Sequence, residues 1–284
     1  VTVAILVGYG FYVPFDPASF KGQRVIVTGA STGIGEQLAY FYAKHGANVV
    51  IVARNEKRMQ NVVSKCKSLG AESANYIKAD MAETKDAYFG QVIEKSVAFL
   101  GGGLDTLVLN HVVDKGAWDQ DGYYGKFDMD NLKWLYHVNF FSYVSMAQQS
   151  IAHLEKTAGR IITVGSAAGR TGLPKVAEYS SSKHALFGYF ESLRYDMRGK
   201  SSKVSITTCT IGSIDTENAR KGTKDANIPG FMWHPADVCA ETIAIGGQAR
   251  VYNVFYPFAQ TYPIFILRSF PKLAEFVIEQ FGFE

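Results

Sequence analysis

A short apolar run that passes straight into a glycine-punctuated turn and then into a helical pattern leaves few folds open. Arg24-Val-Ile-Val-Thr28 is such a run, Gly29-Ala-Ser-Thr-Gly-Ile-Gly35 is the turn, and residues 36–45 carry helical periodicity. In that order the three pieces make a cradle for a pyrophosphate. Glycines let the backbone come close, and a helix start offers free N–H groups and a partial positive charge. A glycine turn by itself is equally a plain tight turn, but its place between strand and helix favours the nucleotide site. The spacing is G-x-x-x-G-x-G rather than G-x-G-x-x-G.

The alternation continues along the chain. Asn48–Ala53, Ser73–Lys78, residues 104–109, Arg160–Val164 and residues 204–211 read as strands. Between them, residues 55–69, 84–100 and 131–158 read as helices, and a further helix runs from Tyr179 to about Gly199. Pro235-Ala-Asp opens another helix, with Pro early and an acid in the first turn. Such a series predicts a parallel sheet covered on both faces: an α/β, doubly wound, Rossmann-type sheet in a three-layer αβα domain. Right-handed crossovers gather the C-terminal ends of the strands on one edge, where such folds bind ligands. Gly29, Arg54, Asp80, Met81 and Asn110 all fall on that edge, and Asp80-Met81 would lie by an adenine ring.

Tyr179 and Lys183 stand four residues apart, so on a helix they share one face. A free tyrosine titrates near about pH 10. A fixed positive charge beside it favours the phenolate and makes it a proton donor or acceptor for a carbonyl or alcohol. Ser166 follows the strand Arg160–Val164 and offers a hydroxyl to hold the substrate oxygen. Asn139 interrupts an apolar helix face. A buried amide must find partners, either neighbouring backbone or a water shared with Lys183. By itself the Tyr-x-x-x-Lys spacing is as consistent with an ordinary amphipathic helix; the surrounding strand-edge residues decide for chemistry.

Arg54 follows the second strand directly. A carboxylate there would bind the ribose 2′-hydroxyl of NAD, whereas an arginine pairs with the 2′-phosphate of NADP. Ser31 and Thr32 add hydroxyl donors, and Ile214 and Thr216 lie where a nicotinamide carboxamide would be met. Residues 217–233 are polar and Gly/Pro-punctuated, and predict a mobile loop or small helix over the site.

Composition excludes several classes. The 284 residues carry a net charge of +3 and no Lys/Arg run, which argues against nucleic acid. Cys66, Cys209 and Cys239 form no C-x-x-C pair, the histidines do not cluster, and no metal site is expected. Residues 1–13 are almost wholly apolar but too few to cross a bilayer, which takes about 20 residues. They are either the end of a longer membrane anchor or an arm packed on the body, joined by a linker to about residue 20. A catalytic domain is expected over residues 21–256. The apolar tail then extends over 257–284, either as a dimer or membrane contact or simply docked on the core.

Taken together, Thr28-Gly-Ala-Ser-Thr-Gly-Ile-Gly35, Asn110, Asn139, Ser166 and Tyr179-x-x-x-Lys183 resemble the short-chain dehydrogenase/reductase family, over about residues 21–256. More narrowly, Leu109-Asn-His111, Val138-Asn-Phe-Phe-Ser-Tyr-Val144, Ser205-Ile-Thr-Thr-Cys209 and Ile214-Asp-Thr-Glu217 resemble its 11β-hydroxysteroid dehydrogenase branch. The resemblance implies a tetrad of Asn139, Ser166, Tyr179 and Lys183. It implies NADP(H) held by Gly29, Ser31, Thr32, Gly33, Ile34 and Gly35, by Arg54, Asp80 and Met81, by Asn110, His111 and Val112, and by Tyr179, Lys183, Ile214 and Thr216. Ser166 and Tyr179 would meet the substrate. It further implies a lipophilic ketone or secondary alcohol as substrate, a homodimer, and anchoring through the N-terminus in the endoplasmic reticulum membrane with the body in the lumen; a cytoplasmic enzyme is the alternative. Thr32 replaces a lysine that the family often uses for the 2′-phosphate, which leaves more of that task to Arg54. The rival readings are a non-catalytic NADP-binding scaffold at a membrane or lipid droplet, and an NAD-linked steroid or retinol oxidase.

Overall fold

Apolar β-branched runs become strands and amphipathic stretches become helices. The computed structural model describes residues 15–113, 128–174, 176–222, 228–273 and 276. The apolar start at 1–13 and most of 274–284 lie outside them. A 3-10 turn at Pro17–Phe20 precedes β1 (Arg24–Thr28), which leads into α1 (Gly33–Lys44). β2 (Asn48–Ala53) leads into α2 (Glu56–Leu69), and β3 (Ser73–Lys78) into α3 (Asp86–Phe99). β4 (Thr106–Leu109) is followed by α4 (Met129–Tyr136), a π-helical turn (His137–Phe141) and α5 (Ser142–Thr157). β5 (Arg160–Val164) precedes α6 (Ala177–Gly199), β6 (Ser205–Ile211), β7 (Ile214–Asp215) and α7 (Glu217–Gly222). β8 (His234–Pro235), α8 (Ala236–Gln248), β9 (Asn253–Tyr256) and α9 (Phe258–Leu267) follow.

Local chemistry sets these boundaries. α2 begins where the Asn55 side chain accepts from the Arg58 amide at 3.0 Å, satisfying one of the free N–H groups of the first turn. It ends at Gly70, whose φ of 108° lies in the left-handed region.

The seven principal strands are parallel, in the order β3-β2-β1-β4-β5-β6-β9. Chain order reverses between β1 and β4, so connections leave these neighbours on opposite faces and a crevice opens beyond their C-terminal ends. Side chains alternate across the sheet. Val25 and Val27 pack on one core with Leu38 of α1, Met59 of α2 and Ile243 of α8. Ile26, between them, packs on the other with Phe89 of α3, Met146 of α5 and Leu186 of α6. Strands buried on both faces read as continuous apolar runs, which is why β1 and β2 are so plain in the sequence.

Several expectations need correcting. The helix read over 131–158 is interrupted by the π turn, because its ladder must admit Asn139. The helix read from residue 36 starts at Gly33, inside the glycine turn. A strand that the pattern reading did not mark, β9, pairs with β6 and closes the sheet edge, with Val254 and Phe255 buried. α9 then docks through Tyr262 and Phe265, whose ring centroids both lie 5.3 Å from that of Phe255. Ile266, Phe270 and Leu273 stay exposed. The polar stretch after β7 holds α7 and a 3-10 turn at Gly230–Met232, and residues 223–227 lie outside the described residues.

α8 lies close on the sheet because it carries glycines there. A Cβ added to Gly246 would sit 2.4 Å from Val254 Cγ2. Valine is stiff at χ1 and cannot swing aside. Gly246→Ala gains about 1 kcal/mol of helix propensity but incurs about 1–3 kcal/mol of overpacking. We expect a net loss of about 1 kcal/mol, read as a lowered urea midpoint at unchanged m-value; an unchanged or raised midpoint would refute this packing account.

Candidate active site

The crevice at the β1/β4 switch point is a cleft of about 1000 Å³. Its floor depends on a close approach. Gly29 has φ +64°, and a Cβ there would stand 2.6 Å from the Cα of His111. No other residue lets the end of β1 pass so near the segment after β4. Gly33 has φ +60° and opens α1 beneath Thr216. Thr32, at the helix start, makes no side-chain capping bond, so the first-turn N–H groups of α1 are left for what enters the cleft.

From the glycine turn, Gly29, Ser31, Thr32, Gly33 and Ile34 line the cleft. Arg54, Asp80 and Met81 line it beyond β2 and β3, Asn110, His111 and Val112 beyond β4, and Ser166, Tyr179, Lys183, Ile214 and Thr216 on the remaining wall. Gly35 does not. A Cβ at Gly35 would meet Gly29 O at 2.4 Å and Asn110 Nδ2 at 2.6 Å, so packing alone requires a glycine here. Asn110 Nδ2 donates to Thr28 O at 3.2 Å and Gly29 O at 3.3 Å, holding the turn in place.

Tyr179 and Lys183 share the first turns of α6 as their spacing requires. Tyr179 is half-buried, while Lys183 is 1% exposed. The Lys183 ammonium lies 5.7 Å from the Tyr179 ring centroid and 5.2 Å from that of Tyr143. Tyr143 is buried, and burial first, then the neighbouring Tyr179, push its phenol well above the usual range. It therefore remains a donor, to His111 O at 2.5 Å.

Ser166 caps the 3-10 turn Ala167–Gly169, accepting from Ala168 N at 3.2 Å. That turn is clamped to α6: Ser180 Oγ donates to Ala168 O at 2.5 Å, and a Cβ on Gly169 would lie 2.8 Å from Lys183 backbone. Ser166 and the Tyr179–Lys183 pair are thus set by one rigid contact.

Asn139 sits in the π turn and is fully buried. Its Oδ1 accepts from Val113 N at 2.9 Å and its Nδ2 donates to Val113 O at 2.9 Å, the two-bond pattern of a strand partner. Nδ2 also reaches Ser182 Oγ at 3.4 Å. The side chain is spent on main chain and α6, as the backbone alternative anticipates. The turn itself is closed by the Ser142 amide donating to His137 O, five residues back. π turns concentrate at functional sites because they reset which carbonyls a helix offers.

Sequence reasoning passed over the basic residues on the rim. Arg58 of α2 and Lys221 of α7 line the cleft together with Asn218. Both cations hold the Glu217 carboxylate, at 3.2 Å and 2.6 Å, and keep it below the ordinary range, Lys221 contributing most. Neither the reach of Arg58 to the rim nor the arrival of α7 was readable, because the contact that joins them spans 159 positions. No group of metal-ligating side chains occurs among the described residues.

The family model described as short chain dehydrogenase matches residues 23–227. Two curated relatives carry the name hydroxysteroid 11-beta-dehydrogenase 1-like protein. The Danio rerio protein is 42% identical over 266 residues, covering 93% of this chain and 89% of the relative. The Gallus gallus protein is 40% identical over 256 residues, covering 90% and 86%. A short chain dehydrogenase from Burkholderia cenocepacia, solved in complex with NADP, superposes with a TM-score of 0.72 at 26% identity over 84% of this chain and 97% of that one. One from Burkholderia phymatum, solved with NAD, has a TM-score of 0.78 at 17% identity over 90% and 96%, and speaks for the fold alone. With the sheet, the cleft and these matches in agreement, the chain belongs to the short-chain dehydrogenase/reductase family and is an oxidoreductase acting on CH–OH groups.

Proposed function

We propose that this enzyme is an NADPH-dependent carbonyl reductase, reversible as an alcohol dehydrogenase, acting on a lipophilic ketone or secondary alcohol. The observation that carries the reading is the buried Lys183 ammonium beneath the Tyr179 ring, on the same cleft wall as Ser166. The names of the relatives, hydroxysteroid dehydrogenase-like, support a steroid or similar apolar substrate. The residues present fit a dinucleotide: the Gly29 approach that a Cβ would fill, the uncapped start of α1, Arg54 just after β2 and Arg58 in the first turn of α2. Bound there, the nicotinamide supplies or accepts the hydride.

In this reading Tyr179 donates the proton to the carbonyl oxygen, favoured by the nearby ammonium. Ser166 orients that oxygen and stabilises its developing charge. Lys183 holds the ribose and tunes Tyr179, and Asn139 fixes the wall behind them, including any water through which a proton passes to Lys183. We also propose a homodimer and attachment to the endoplasmic reticulum membrane through the N-terminal segment, on the resemblance to the hydroxysteroid branch. Among the described residues no helix is long and apolar enough to cross a membrane.

Tyr179→Phe should lower kcat for ketone reduction by about 10³-fold while NADPH binding, followed by fluorescence, stays within a factor of two or so. A variant that keeps its turnover refutes the proton role. Arg54→Asp should weaken NADPH binding by about 10- to 100-fold, the loss of a hydrogen bond to a charged group, and leave or improve NADH binding. An unchanged preference between the two nicotinamides would overturn the cofactor reading and favour the NAD-linked alternative.

A further inference from the structure

The segment after β4 is held to the π turn at two points. Asn139 grips Val113, as described above. The second grip is the ring of His111, a buried imidazole that the proton chemistry does not use. Its Nδ1 lies 2.8 Å from Thr28 Oγ1 at the end of β1, and its Nε2 lies 2.7 Å from Ser142 Oγ, the residue that closes the π turn.

The surrounding groups favour one tautomer. Ser142 Oγ donates its one hydrogen to Val138 O at 2.7 Å, so towards His111 it accepts, and Nε2 carries the proton. Nδ1 must then accept, and the hydrogen comes from Thr28 Oγ1. That oxygen accepts in turn from Asn110 N at 2.9 Å, and its only other acceptor, Val108 O, is farther at 3.2 Å. Every partner is satisfied in this arrangement, whereas a doubly protonated ring would turn the Thr28 hydroxyl from Nδ1 to the longer contact with Val108 O. The charged and titratable groups around the ring agree. Lys183 of α6 faces it with a positive charge, and the Tyr143 ring of α5 packs against it at 4.2 Å between centroids. Burial first and Lys183 second push the imidazole down to about 3.

We propose that His111 is a positioning residue, a strut of the Nε2–H tautomer that ties the π turn bearing Asn139 to the end of β1 and, through its carbonyl, orients Tyr143 beneath Lys183. This deepens the carbonyl-reductase reading and rests on it for its kinetic consequence alone. The chemistry predicts an unequal substitution series. Glutamine reaches as far as Nε2 and can still donate to Ser142. Asparagine reaches only as far as Nδ1, and phenylalanine keeps the ring without either bond.

The experiment compares His111→Gln, His111→Asn, His111→Phe and Ser142→Ala in the full chain. Its first readout needs no turnover: amide hydrogen exchange at Val113, whose N–H is held by Asn139. The second is kcat against cofactor affinity. In wild type, nitrogen-15 NMR of the ring should show Nε2 protonated and Nδ1 bare from about pH 8 down to about pH 5, where an ordinary histidine has charged. Exchange at Val113 should accelerate in the Asn, Phe and Ser142→Ala variants and least in Gln. At saturating NADPH, kcat should fall about 10- to 100-fold in the same order, as expected for displaced catalytic groups. Should Phe match wild type in exchange, or Asn match Gln, or the ring show the other tautomer, the strut is wrong. Should Asn or Phe fail to fold, Ser142→Ala decides the matter, because it removes the acceptor of the Nε2 bond at the cost of one further bond, to the Val138 carbonyl within the same helix. If wild type reduces no ketone, the functional reading fails while the exchange and NMR results still judge the strut.

Discussion

Three main-chain segments compete for the same few cubic ångströms at the end of β1, and their fit is what everything else is built around. Gly29 must pass within contact of His111, Gly35 must sit against Gly29 O, and Asn110 must reach both Thr28 O and Gly29 O. A side chain at either glycine would spread these segments apart, and the sheet's switch point would no longer be a narrow crevice. The two glycines are not equivalent. Gly29 is needed both for its positive φ and for the approach, whereas Gly35 is needed only for space. The cleft is therefore shaped by what is missing from the chain as much as by what lines it.

The second constraint is a buried cation. Placing an ammonium at 1% exposure costs several kcal/mol unless its surroundings compensate. A chain selected for stability alone would put an apolar residue there, which is why the proposed function gives Lys183 a chemical role. Its neighbours are consistent with a charged form. Two aromatic faces lie within 6 Å or so of Nζ, a geometry that attracts cations, and the adjacent histidine is held away from a charge of its own.

How much of this the sequence disclosed follows from the range of each interaction. β1, β2 and the strand before Ser166 are runs of β-branched residues buried on both sides, and a run is local. The Tyr179–Lys183 pair is also local, fixed by one helical turn. The π turn could not be read, because Asn139 is accommodated by Val113, 26 positions away in the chain, and nothing in the helix pattern announces that partner. The rim cations Arg58 and Lys221 were missed for the same reason, since they are brought together by Glu217 across 159 positions. β9 went unread as a strand because its four residues run into the apolar sequence of the tail, so no change of pattern marks where the sheet ends.

That last segment also changes how the tail relates to the site. Gln260 of α9 accepts from Ser213 N at 3.2 Å, and the absence of a side chain at Gly212 makes room for it. Farther along, Phe265 faces Arg170, whose guanidinium stacks 3.6 Å from the Phe187 centroid and bonds Glu191, Thr210 and Asn253. Arg170 directly follows the turn that Ser166 caps, and Gly212 opens the loop that carries Thr216. Gln260 and Phe265 thereby fasten α9 to the loops on both sides of the cleft wall, while Ile266 of the helix and Phe270 just beyond it are exposed. Any surface that came to cover those side chains would press on a helix already joined to the site. The tail is thus mechanically part of the catalytic body, for a reason its composition alone does not contain.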